Sequence, residues 1–178
     1  MKLSVYIAVS LDGFIARENG DIDWLPQPVG ENDGEDYGYK AFFNSVDVLV
    51  MGRNTYEKVL SFGEWPYGNK RVIVLSSENI KIPADLSDTL KVRNCKPAEL
   101  VEELSMAGVK KVYIDGGRTI QSFINADLIN ELIISRIPIL IGQGTPLFGQ
   151  LAHDIKLCHV ETRSFDNGIV QSKYTILH

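Results

Sequence analysis

The chain has 178 residues, 44% of them hydrophobic and 23% charged, ordinary globular usage that argues against a disordered or fibrous polypeptide and suits one domain spanning 1–178. A net charge of -5 argues against nucleic-acid or anionic-membrane partners, which are bound through concentrated Lys and Arg, so any bound anion must be met by local charge. Cys95 and Cys158 lack C-x-x-C spacing, so no metal site is expected and both read as reduced, buried thiols.

In chain order, the first element is a strand over Leu3 to Val9. Asp12 interrupts its apolar run before a signal-peptide core could form, and no later segment is long enough to span a bilayer, so a cytoplasmic protein is expected. Asp21 to Gly38, rich in Gly, Pro and acids, reads as a surface loop, either a lid or simply a long loop. Val46 to Met51 and Arg71 to Ser76 are almost continuously apolar, as in strands covered on both faces. Pro97 opens a helix with Leu100, Val101 and Leu104 on one stripe, and Gly108 closes it. A strand over Lys110 to Ile114 and a helix over Thr119 to Asn125, with Ile120, Phe123 and Ile124 inward, precede a strand over Glu131 to Ile137. Ile155 to Glu161 and Gly168 to Leu177 flank Asp166-Asn167-Gly168, an Asn-Gly hairpin signal, so the sheet ends antiparallel.

Two places in this α/β alternation carry chemistry. In VLVMGRNTYE a buried strand meets Gly52 and then a helix, which aims free backbone N–H groups, the positive helix end and Arg53 at one spot. In VYIDGGRTI, Gly116 and Gly117 permit close backbone approach beside Arg118. Either turn alone is equally a steric feature of α/β folds. Two of them in one small sheet match a dinucleotide, whose phosphates need separate holds.

SVYIAVSLDGFIA, VLVMGRNTYE, RVIVLSS and VYIDGGRTI, in this order, resemble the dihydrofolate reductase fold along nearly the whole chain. The stretch from Pro138 to Phe148 is similar to the P-x-L-x-G-x-G-x-P-L-F signature of the riboflavin-biosynthesis reductase domain and its stand-alone relatives. The P-C-x-x-C motif of the zinc deaminase that accompanies it in bifunctional enzymes does not occur in this sequence. The resemblance implies a three-layer α/β fold: a central mixed sheet of about eight strands, helices on both faces and a C-terminal antiparallel hairpin.

It also implies NADPH as cofactor, with Gly52, Arg53, Asn54 and Thr55 at its phosphates, and Ser76 and Ser77 near the adenosine and 2'-phosphate. Gly116, Gly117, Arg118 and Thr119 would surround the pyrophosphate and nicotinamide, over a floor of Ile7, Ala8 and Ile15. The implied reaction is hydride transfer to a C=N or ribosyl imine carbon of a small heterocycle, with dihydrofolate reduction and non-catalytic NADPH binding as the alternatives. For the proton donor, counting back from Met51 reaches Asp36, expected beside the substrate, though its neighbours depart from the dihydrofolate pattern. Asp115 is the second candidate; it stands where dihydrofolate reductases usually carry the first glycine of the turn. His153, His159 and His178 read as structural or surface residues. A homodimer through Pro138 to Phe148 is also implied.

Overall fold

The computed structural model describes residues 1–26 and 35–177. Among these lie β1 (Lys2–Ser10), β2 (Phe14–Ala16), α1 (Tyr39–Ser45), β3 (Val48–Gly52), α2 (Arg53–Leu60), β4 (Arg71–Leu75) and β5 (Leu90–Arg93). They are followed by α3 (Pro97–Met106), β6 (Lys111–Asp115), α4 (Gly117–Asn125), β7 (Glu131–Ile137), β8 (Thr145–Pro146), β9 (Leu157–Ser164) and β10 (Val170–Ile176).

Eight strands form one mixed sheet in the order β5-β4-β3-β6-β1-β7-β10-β9, parallel from β5 to β7 and antiparallel through the last two. Val48, Leu49, Val50 and Met51 are each no more than 1% exposed, because alternate residues of β3 enter different cores. Val48 and Val50 join Leu100, Leu104, Ile120 and Phe123 from α3 and α4, while Leu49 and Met51 join Phe42 and Tyr56 from α1 and α2. Burying each such side chain contributes about 1.5–3 kcal/mol. The expected architecture of helices on both faces and a terminal hairpin is therefore present.

The helix signals map directly. Pro97 begins α3, the Glu99 carboxylate accepts the Lys96 N–H at 3.1 Å, and Gly108 takes φ +77 just beyond the helix end. The terminal hairpin differs in detail. Its strands are Leu157–Ser164 and Val170–Ile176, and of the Asn-Gly pair only Gly168 has positive φ. The Gly168 N–H bonds to the Phe165 carbonyl and the Phe165 N–H to the Ile169 carbonyl, both at 2.9 Å, a wider loop than a two-residue turn.

The Pro138 to Phe148 segment is mostly loop, tied down at several points. Asp12 accepts the Gly142 N–H at 2.7 Å and the Ile141 N–H at 3.2 Å. Farther on, β8 pairs with β2. Gly144 has to be glycine for that pairing, since a Cβ there would sit 2.1 Å from the Ala16 carbonyl oxygen. Cys95 is half-buried, but Cys158 is exposed, contrary to expectation, because β9 is the sheet edge and none of its residues is buried. His153 and His159 are exposed as expected; His178 lies outside the described residues. Among the described residues no helix is long and apolar enough to cross a membrane, and no cluster of three potential metal ligands occurs.

Candidate active site

Strand order places the site. The chain leaves β3 through α2 toward β4 and leaves the adjacent β6 through α4 toward β7. Connections thus diverge between two neighbouring parallel strands, which opens a crevice at their carboxyl ends. Register aligns Met51 with Asp115, so the two glycine turns emerge side by side. A Cβ on Gly116 would stand 2.3 Å from Thr55 Oγ1, and one on Gly52 would stand 2.7 Å from Thr119 Oγ1. The turns that sequence kept apart are in contact, and neither α2 nor α4 has a side-chain cap on its first N–H groups. Uncapped amides and two helix dipoles therefore face the same crevice.

The cleft above them measures about 1270 Å³, more than the roughly 300–1,000 Å³ of a typical small-ligand pocket and ample for a dinucleotide with a small second molecule. Gly52, Arg53, Asn54 and Thr55 line it from α2, and Gly116, Gly117, Arg118 and Thr119 from α4. Ser76 and Ser77 border it after β4, and Ile7, Ala8 and Ile15 from the β1–β2 side. Every residue expected at the cofactor thus lies on this one cleft. The beginning of the Asp21 to Gly38 loop also reaches it: Ile22 and Leu25 are on its wall, and Asp21 pairs with Lys58 of α2 at 2.6 Å. Residues 27–34 of that loop lie outside the described residues.

Asp36 does not reach the cleft. It is exposed, and its carboxylate accepts the Gly38 N–H at 2.8 Å and the Lys40 N–H at 3.0 Å, capping α1. The expectation of a pocket carboxylate there is corrected: Asp36 precedes the first helix, and α1 itself contains no acid. The cleft receives Tyr39 from that helix instead.

Asp115 is the acid on the cleft. Protein encloses it on nearly all sides, with part of its surface open to the crevice. Burial raises its pKa to about 6, against the opposing pull of the Gly116 N–H at 2.8 Å. Around it Tyr6, Tyr39 and Tyr67 line the wall. Burial, and with it the Asp115 charge, holds the Tyr39 and Tyr67 hydroxyls well above their ordinary range, so both stay protonated. Sequence reading missed these tyrosines. Tyr6 was reachable, since it shares a strand face with Ala8, but Tyr39 and Tyr67 come from a short helix and a loop without periodic signal.

The RibD C-terminal domain family matches residues 1–171. The uncharacterized protein YwjB of Bacillus subtilis is 36% identical over 172 residues, 94% of both chains. The riboflavin biosynthesis protein RibD of Corynebacterium ammoniagenes is 26% identical, over 86% of this chain and 47% of its own. Among solved structures, a protein from Shewanella sp. PV-4 with a provisional riboflavin-biosynthesis name superposes with a TM-score of 0.91 at 39% identity, covering 100% of both chains. The deaminase/5-amino-6-(5-phosphoribosylamino)uracil reductase of Thermotoga maritima shares the fold, with a TM-score of 0.74 at 14% identity over 99% of this chain and 56% of its own.

Proposed function

The chain belongs to the RibD C-terminal domain family, and from that premise we propose that it is a cytoplasmic NADPH-dependent reductase acting on a C=N or ribosyl imine carbon of a small heterocycle, in the manner of 5-amino-6-(5-phosphoribosylamino)uracil reductases. The observation that carries the reading is the contact between the Gly52 and Gly116 turns, which puts two uncapped helix N-termini on one cleft. NADPH, when bound, supplies the hydride from its nicotinamide C4.

The chain's own residues bind, orient and protonate. The amides of the two turns, with Arg53 and Arg118, would hold the phosphates, and Ile7, Ala8 and Ile15 would give the nicotinamide an apolar floor. Tyr39 and Tyr67 form a neutral aromatic wall for a flat heterocycle. As hydride adds to the imine carbon, the C=N π pair moves to nitrogen and takes the Asp115 proton, leaving a C–H, an N–H and a carboxylate that recovers its proton through the open side. A carboxyl titrating at about 6 suits that donation near neutral pH. The dihydrofolate alternative loses support, because α1 offers no carboxylate.

The test is NADPH oxidation across pterins, pyrimidine ribosylamines and simple imines, beside dissociation constants for both cofactors. Turnover is expected with the ribosylamine class, and NADPH should bind about tenfold or more tightly than NADH, as charge-assisted contacts to a 2'-phosphate are worth that much. Tight binding without oxidation of any compound would instead establish a non-catalytic NADPH-binding protein.

A homodimer is part of the same proposal. Within the Pro138 to Phe148 segment, Leu140 is 69% exposed and Phe148 46%, apolar surface available for a partner. Light scattering should give about 40 kDa, twice the 19.9 kDa chain; a 20 kDa species throughout the micromolar range would count against it.

A further inference from the structure

At the end of the cleft bordered by Ser76 and Ser77, Arg53 lies between two carboxylates, Glu57 on the cleft wall and Glu78 at the exposed rim just beyond it. Arg53 bonds through Nη1 to Glu78 Oε2, and its Nε lies 3.7 Å from Glu57 Oε1. The position of Glu78 is built in. Ser76 Oγ accepts the Glu78 N–H and donates to the Glu78 carbonyl, both at 3.0 Å, closing the turn that carries the carboxylate to Arg53. In Rossmann-type sites, by analogy, an acid hydrogen-bonds the free ribose 2'-hydroxyl, and an arginine accommodates a 2'-phosphate. This chain presents both, paired to each other.

We infer that Glu78 sets cofactor selectivity, competing with the 2'-phosphate of NADPH for the Arg53 guanidinium while accepting a hydrogen bond from the 2'-hydroxyl of NADH. This rests on the cofactor reading above. A phosphate carrying nearly two negative charges gains Arg53 only by displacing or sharing Glu78, and the remaining carboxylate repels it. NADH has no such conflict. The NADPH preference of the natural chain is therefore held below what Arg53 alone would give.

Glu78→Gln tests this by calorimetric titration of the protein with NADPH and with NADH. Glu78 is exposed, so the variant should fold. NADPH affinity is expected to rise about fivefold, the upper range for an exposed charge pair, while NADH affinity stays level or falls. The gain should shrink between about 0.05 and 1 M salt, because screening contracts from roughly 14 Å to 3 Å over that range, a response that a rearranged loop would not give. NADPH binding with unchanged or weakened affinity in the variant overturns the inference alone. Absence of NADPH binding to the unaltered protein overturns the cofactor reading and the inference with it.

Discussion

Asp115→Asn is expected to lower turnover by about 10²-fold, the usual worth of a positioned general acid, with NADPH affinity nearly unchanged. A pH–rate limb at about 6 is expected from the Asp115 carboxyl and should disappear with it. Stability should move the other way. In the folded chain this pKa rises from 3.8 to about 6, so the native state binds the proton more tightly than the unfolded state does. Below pH 4 both states are protonated and the carboxyl costs nothing. From there to about 6 only the unfolded chain ionises freely, and stability falls as pH rises. The shift corresponds to at most about 3 kcal/mol, and roughly 1–3 kcal/mol is expected because part of the group opens on the cleft. Asn keeps an acceptor for the Gly116 N–H without the charge, so the variant should melt higher than the natural chain at pH 8 and level with it at pH 4. A persisting limb near 6, or the same melting difference at both pH values, would remove Asp115 from the mechanism.

Gly116→Ala should have the largest structural effect of any single methyl group in the site. Gly116 has φ +87 and ψ 135, a conformation that L-residues rarely adopt. Its new Cβ would also meet Thr55 Oγ1 at 2.3 Å and Thr55 Cβ at 3.4 Å. Backbone strain and overlap together should cost about 2–4 kcal/mol, a fall in Tm of roughly 5–15 °C for a chain of this size. NADPH affinity should drop about tenfold or more, because pushing the turns apart spoils the shared phosphate site. Adding Thr55→Ala to the variant removes the overlap but not the strained φ, so Tm should recover only in part. A Gly116→Ala protein that melts and binds like the natural one would show that the close approach of the two turns is not needed.

Features that depend on short-range chemistry were legible before any fold was known. An unbroken apolar run such as Val48 to Met51 has to be buried on both faces, whatever its neighbours, and so announces a central strand. Gly52, Gly116 and Gly117 mark turns that a side chain would spoil, and the stripe of Ile120, Phe123 and Ile124 fixes the inner face of α4. Those local demands located the cleft at the carboxyl ends of β3 and β6.

Other features arose only from contacts between distant segments. Leu90–Arg93 became β5 only because β4 offered it a partner, and two-residue β8 exists only through its pairing with β2. Counting along the chain selected Asp36, but distance in sequence does not say which way a side chain points, and the free N–H groups of α1 claimed that carboxylate as a cap. Asp115 acquired its raised pKa from burial beneath tyrosines brought from α1, β1 and a distant loop. Desolvation and charge are properties of what surrounds a group in space, and for this acid the surroundings come from segments distant in sequence, Tyr6 at the start of the chain among them.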